Sequence, residues 1–104
     1  MYLLYLDDAG SPGNEAEDYF VLGGVCVFEA QVDWFSRELD KLASPFDASV
    51  ADVEFHASTI FSRRSSPWKD LSIDEARGTL KSVLKVVASS YDTARLFACA
   101  IHKK

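Results

Sequence analysis

Two adjacent carboxylates at the end of an apolar run are the first residues in this sequence with the potential for chemistry. Asp7 and Asp8 follow the run Tyr2–Leu6, and a Gly-Ser-Pro-Gly turn begins two residues later. Burying a lone carboxylate is costly unless it is paired or binds a cation, so we expect both acids at a surface or in a cleft, where the strand leaves the core. Side chains alternate along a strand, so the two carboxylates start on opposite faces. They either serve a cation site or act as turn acids that bond to the backbone after them.

A second acid and an imidazole stand two residues apart in the stretch 53–58. The pattern predicts a short strand here, with Glu54 and His56 on one side and Val53 and Phe55 on the other. The polar side suits a metal ion or a proton transfer, because imidazole exchanges a proton near neutral pH. The alternative for His56 is a half-buried histidine that bonds to the backbone.

The basic residues offer one compact basic spot before the C-terminal tail. Arg63 and Arg64 stand in a loop rich in serine, where they either contact a ligand or are simply solvated, and Glu54 alternatively pairs with one of them. Eleven basic residues face sixteen acids, a formal net charge of -5. That balance argues against charge-driven binding to nucleic acid, but clustered acids are compatible with a metal-dependent enzyme that acts on phosphates.

The chain has 104 residues, enough for one small globular domain over 1–104. The strands and helices that position the candidate residues are predicted from its hydrophobic pattern. Strands are predicted over Tyr2–Leu6, Tyr19–Phe28 and Ala94–Ile101, and the first two are expected to pair as an antiparallel hairpin. Gly23 and Gly24 in mid-strand predict a bulge or, less commonly, a close approach of a helix or ligand.

Helices are predicted where the apolar period changes. One runs from Gln31 to Ala43, a helical turn follows Ala57, and a long helix begins at a Ser72 cap and keeps one apolar face as far as Tyr91. No stretch of about twenty apolar residues occurs. Cys26 and Cys99 are expected to be free buried thiols, as in a reducing cytoplasm, and the alternative is a single disulfide between them.

The last predicted strand, Ala94–Ile101, is apolar on both faces and is followed only by His102, Lys103 and Lys104. The overall pattern predicts a mixed α/β fold with helices packed on a sheet. A covered strand needs neighbours, so we expect a domain that is incomplete at its C-terminus or is completed by another chain. A two-fold homodimer is expected, formed either by edge pairing or by packing of sheet faces, through this strand or the helix before it.

Three stretches, taken in order, resemble a known family. Tyr5–Gly10 resembles an opening Tyr-hydrophobic-Asp-Glu-Ser-Gly motif, Phe20–Val25 resembles the second strand, and Glu54–Ser58 resembles a central Glu-Phe-His motif. Trp68 and the long helix follow in the same order. The family is DUF3800, a group of bacterial and phage proteins placed with ribonuclease H-like folds, and the resemblance covers essentially the whole chain.

The resemblance implies a ribonuclease H-like mixed sheet and a divalent-metal-dependent nuclease, or a fragment of one, in the cytoplasm. Asp7, Asp8, Glu54 and His56 would be the catalytic set, with Asp7, Glu54 and His56 as ligands of Mg²⁺ or Mn²⁺. Arg63 and Arg64 would contact the nucleic acid. Ala9 replaces the motif's serine, and the family's further acids, expected downstream in proteins about twice this length, are missing. The alternative is a non-catalytic interaction module that keeps the fold.

Overall fold

A computed structural model describes residues 1–46, 53–90 and 94–103. The chain divides into two compact units. The sheet unit lies within Met1–Val32 and Tyr91–Lys104, and the helical unit is Asp33–Ser90. The elements in chain order are strand β1 (Tyr2–Ala9), strand β2 (Tyr19–Phe28), a single 3₁₀ turn (Glu29–Gln31), helix α1 (Val32–Ala43), helix α2 (Ala57–Ser62), helix α3 (Ile73–Ala88) and strand β3 (Ala94–His102).

The described strands form one three-stranded antiparallel sheet in the order β1-β2-β3. β2 is central, and its apolar and β-branched residues favour that position because they pack against neighbours on both sides. Leu6, Gly24 and Phe97 lie side by side across the three strands. The mixed α/β class, the β1–β2 hairpin and the third strand are therefore confirmed.

The expected bulge at Gly23 and Gly24 is wrong. The register runs through both glycines without an inserted residue, from β1 across β2 to β3. The alternative of a nearby helix or ligand does not describe Gly24 either: an added Cβ there would lie 2.6 Å from Phe97 Cζ, 2.8 Å from Leu6 Cδ2 and 2.8 Å from the Tyr5 carbonyl oxygen, all atoms of the neighbouring strands. Glycine is needed there because the side chains of two neighbouring strands occupy the space a Cβ would fill.

The register assigns each strand residue to one of two faces, since side chains alternate. The Leu6 face carries Leu6, Gly24 and Phe97, and the Tyr5 face carries Tyr5, Gly23 and Leu96. Large apolar side chains are exposed on both faces, whereas the sequence predicted β2 to be covered on both sides. β2 is instead mostly half-buried, and Val27 is its one buried residue. Both cysteines are free thiols as expected, but their expected burial is wrong: Cys26 on β2 is half-buried and Cys99 on β3 is exposed.

The loop between β1 and β2 is held by a lysine from the far end of the chain. Lys103 Nζ donates to the carbonyl oxygens of Ser11 and Asn14 and lies 3.6 Å from a Glu17 carboxylate oxygen. The same carboxylate oxygen accepts the Ser11 backbone N–H at 2.9 Å. That hydrogen bond, with Lys103 nearby, lowers the pKa of the Glu17 carboxyl below its usual value although partial desolvation opposes the shift.

The core of the helical unit is built around Trp68. Trp68, Ile60 and Ala76 are buried together, and the rings of Phe46 and Phe55 lie 4.9 Å and 5.9 Å from that of Trp68. The short strand predicted over 53–58 is wrong: residues 53–56 are irregular and α2 begins at Ala57. The apolar residues of this stretch face the tryptophan core rather than a neighbouring strand.

The predictions of the two longer helices, α1 and α3, are confirmed. α1 is amphipathic, and its Asp33 and Arg37 form an ion pair at 3.3 Å. α3 begins at Ser72, whose hydroxyl accepts the backbone N–H of Glu75 at 3.1 Å. Tyr91, expected on the apolar face of α3, lies outside the described residues. In the part of the chain that the structure describes, no helix is long and apolar enough to cross a membrane.

Candidate functional site

Asp7 and Asp8 both lie exposed within β1, which continues to Ala9 instead of ending at the acids. The strand stops where Gly10 adopts a φ of 91°, a backbone conformation that favours glycine. The prediction of opposite faces is confirmed, because Asp7 pairs with Gly23 and Asp8 with Leu22. Asp7 Oδ1 accepts the backbone N–H of the following residue, Asp8, at 2.9 Å, but both acids lie within a strand and not in the turn that the turn-acid alternative required.

An open hollow lies beside Asp7, with a volume of about 680 Å³. Its floor is Gly23, where a Cβ would find no atom nearer than the Phe97 carbonyl oxygen at 3.9 Å. Asp7 supplies the carboxylate of an otherwise largely apolar lining that includes Tyr5 and Leu96. The arrangement gives the Asp7 carboxylate open access from solvent next to a surface that suits an apolar group.

Glu54 and His56 are both exposed, while Val53 and Phe55 pack against the tryptophan core. The polar and apolar side chains of residues 53–56 therefore lie on different sides, as predicted, although this segment is not a strand. His56 precedes α2, and its Nδ1 lies 2.9 Å from Ser58 Oγ and 3.0 Å from Thr59 Oγ1. The backbone-bonded, half-buried alternative is wrong. These contacts leave Nε2 as the ring nitrogen for a ligand or a proton transfer.

The two pairs of candidate residues lie in different units of the structure. Asp7 and Asp8 belong to the sheet unit, and Glu54 and His56 belong to the helical unit, so their convergence in one cleft stays a prediction. In neither unit, over the described residues, do three His, Cys, Asp or Glu side chains form a group able to hold one metal ion. A metal held by this chain would therefore depend on waters, on its substrate, or on both pairs coming together.

The two arginines have different surroundings. Arg63 adopts a left-handed backbone (φ 52°) at the end of α2, its Nη1 donates to the Leu71 carbonyl oxygen at 3.2 Å, and its Nε is buried without a hydrogen-bond partner in the described structure. Arg64 is exposed. Neither forms an ion pair with Glu54 within the described residues. Contact of both arginines with nucleic acid stays a prediction, and Arg64 is the more accessible of the two.

Ser58 and Thr59 are the site residues that the sequence prediction did not single out. Their hydroxyls fix the His56 ring because they occupy the first turn of α2, directly after the histidine. The signal was present in the sequence as His-x-Ser-Thr at a predicted helical turn. It was missed because Ser58 was also counted in the strand predicted over 53–58, and neighbouring side chains on a strand alternate between faces.

Comparisons of this chain with family models, with curated proteins and with solved structures give no match. The resemblance to the DUF3800 family accordingly stays a prediction. Any proposal about function therefore rests on the geometry of the two candidate pairs, Asp7 with Asp8 and Glu54 with His56.

Proposed function

We propose that this chain is a divalent-metal-dependent phosphodiesterase of the ribonuclease H-like type, or the part of one that holds its first-strand acids. The observation that carries the proposal is the exposed Asp7 carboxylate beside the open hollow over Gly23, a position that contributes no side chain of its own. The proposal is also supported by the order of the two motifs along the chain, Asp7–Asp8 before Glu54–His56, which is the order in the family that the sequence resembles. The substrate class is a nucleic acid, and the expected compartment is the cytoplasm.

The donor set fits Mg²⁺ or Mn²⁺. Both are bound by carboxylate oxygens, and Mg²⁺ commonly keeps several waters while it binds one or two carboxylates and a substrate phosphate. Asp7 meets this requirement because one of its oxygens is oriented by the Asp8 N–H and the other is left for a cation. Glu54 supplies a second exposed carboxylate. When bound, the cation would neutralise charge on the phosphate oxygens and lower the pKa of a bound water.

The chain's own residues have separate tasks in this proposal. Asp7 and Glu54 hold the cation, and Asp8 adds negative charge next to Asp7. His56 moves a proton to or from the reacting oxygen, or binds the cation, at Nε2, because its Nδ1 is already engaged by the Ser58 and Thr59 hydroxyls. Arg64, exposed beside this segment, contacts a substrate phosphate as a charged hydrogen-bond donor.

The test is thermal unfolding with and without Mg²⁺ or Mn²⁺, together with cleavage of fluorescent single-stranded and double-stranded DNA and RNA. A ligand that binds only the folded chain raises the melting temperature, so we expect a metal-dependent rise that Asp7→Asn abolishes. Asp40→Asn is the matched control, because it removes one negative charge from an exposed position on α1. Equal metal responses from the wild type and Asp7→Asn would overturn Asp7 as a ligand.

A second candidate function, an interaction module without catalysis, is favoured by the exposed apolar sheet. Leu4, Leu6, Leu96 and Ile101 are each more than half exposed, which is unusual for large apolar residues in one sheet. This candidate predicts no cleavage and no metal response, together with association through the sheet. The metal titration and a measurement of association therefore separate the two functions.

A further inference from the structure

The Leu6 face of the sheet is an unusually apolar surface. Its members follow from the register, which aligns alternate residues of the three strands. Five of its large apolar side chains are between 44% and 64% exposed: Tyr2, Leu4, Leu6, Phe97 and Ile101. The charged residues of this face, Asp8 and Arg95, stand on the two outer strands toward opposite ends, so the centre of the face carries no charge.

We propose that the Leu6 face is the contact surface of a two-fold homodimer, in which it packs on the same face of a second copy of this chain. The inference goes beyond the nuclease proposal and does not depend on it. It builds on the second candidate function by naming the partner and the face.

The exposed area matches what a small dimer requires. A large apolar side chain has about 200 Å² of surface, so the five half-exposed side chains leave roughly 500 Å² uncovered per copy. Two copies would together bury about 1,000 Å², the lower bound for a specific interface. An apolar patch of roughly 500 Å² is as large as the largest patch on a typical monomer, about 300–600 Å², and such patches are often functional.

A second copy fits this face for two further reasons. The centre of a protein interface is depleted in charged residues, as the centre of this face is. A two-fold axis also covers the patch on both copies at once and leaves no further surface on which chains could add. Two sheets pack face to face about 10 Å apart, a distance that the interdigitating Leu and Phe side chains fill.

The Tyr5 face is the less suitable of the two. Its more-than-half-exposed large side chains are Tyr5, Tyr19 and Leu96, and it also carries Asp7 and His102. A dimer through the Leu6 face leaves Asp7 and the hollow over Gly23 open to solvent. The two proposals are therefore compatible with each other.

Sedimentation equilibrium at micromolar concentration is the first test. We expect a wild-type dimer, and we expect Leu4→Lys to weaken dimerisation by roughly 100-fold or more, because each dimer would then desolvate two ammonium groups in an apolar contact. Leu96→Lys is the matched control: Leu96 is 60% exposed on the opposite face, against 55% for Leu4. Its dissociation constant should stay within about threefold of the wild-type value.

Alkylation of Cys99 supplies a second readout that needs no substitution. Cys99 is a free, exposed thiol on the Leu6 face. In the proposed dimer its alkylation is slow at high protein concentration and becomes fast on dilution, since dissociation follows mass action. A rate that is fast at every concentration, or slow at every concentration because the chain's own helices cover the face, would overturn the proposal.

Three further outcomes count against this surface. A wild-type monomer would overturn it whatever the metal titration shows, and a metal response in that monomer would leave the nuclease proposal intact. A dimer that Leu96→Lys dissociates and Leu4→Lys does not would overturn it by placing the contact on the Tyr5 face. Equal sensitivity to both substitutions would overturn it as well, because the contact would then not be confined to the Leu6 face. Circular dichroism of each variant confirms that the fold is retained.

Discussion

The neighbouring glycines of β2 provide a matched pair of substitutions with opposite expected effects on stability. In Gly24→Ala the new Cβ would lie 2.6 Å from Phe97 Cζ and 2.8 Å from both Leu6 Cδ2 and the Tyr5 carbonyl oxygen. Favourable carbon contacts are about 3.5–4.0 Å long, so all three neighbours must move. Phe97 and Leu6 are exposed and their ends can rotate, but the Tyr5 oxygen is backbone in the paired strand.

The expected magnitudes follow from these contacts. Overpacking costs about 1–3 kcal/mol, and the lower chain entropy of unfolded alanine returns about 0.4–1 kcal/mol, so Gly24→Ala should lose about 1–2 kcal/mol. In Gly23→Ala the new Cβ meets nothing closer than 3.9 Å. That variant should therefore gain up to about 1 kcal/mol from the same entropy effect. The two variants should differ by about 1–3 kcal/mol.

Urea unfolding of both variants, followed by circular dichroism, measures this difference. A domain of this size changes its melting temperature by about 4–8 °C per kcal/mol, so a thermal scan should separate the variants by about 4 °C or more. Equal stabilities, or a Gly24→Ala variant more stable than Gly23→Ala, would refute the tight crossing of Leu6 and Phe97 over Gly24.

Two further predictions concern a helix cap and an acid. Ser72→Ala should destabilise the chain by about 1 kcal/mol because the Glu75 N–H loses its cap, whereas Ser82→Ala, inside α3, should have little effect or stabilise slightly; urea unfolding compares them. Because the folded-state pKa of Glu17 is lowered, its contribution to stability is present above its unfolded pKa and lost as pH falls through the folded value. The wild type should therefore lose more stability between neutral pH and about pH 3 than Glu17→Gln; equal losses would contradict the role of the Ser11 and Lys103 contacts.

Long, strongly patterned segments could be predicted from the sequence. The hairpin of β1 and β2, the last strand and the two longer helices have apolar patterns that extend over many residues, so no competing assignment fits them. The stretch 53–58 is short, and alternation alone did not distinguish a strand from an irregular segment whose apolar residues pack against Trp68. The bulge prediction failed for a related reason. Gly24 is required because atoms of β1 and β3 occupy the space beside it. These contacts depend on how the strands pair, which cannot be read from the residues next to Gly24 in the sequence.

The candidate site was predictable only in part. The surface position of Asp7 and Asp8 was expected from the cost of burying a carboxylate and is confirmed, whereas no exposure was predicted for Glu54 and His56, which are also exposed. The hydrogen bonds of the His56 ring depend on where α2 begins, and the clamp of Lys103 on the β1–β2 loop joins residues 92 positions apart. Contacts of that separation are set by the fold as a whole. The hydrogen bond from Arg63 to the Leu71 carbonyl oxygen likewise depends on the left-handed backbone of Arg63, which no local sequence pattern predicted.

Paramagnetic NMR with Mn²⁺ tests the central claim most directly, which is that Asp7, Glu54 and His56 share one divalent cation. Mn²⁺ broadens the signals of nuclei near its binding site, and substoichiometric additions report the strongest site first. We predict that the resonances of these three residues broaden together, ahead of those of exposed acids such as Asp40, and that Asp7→Asn removes the effect at His56 and Glu54. Broadening that begins at Asp40, or that affects Asp7 while His56 and Glu54 stay sharp, would contradict the shared site.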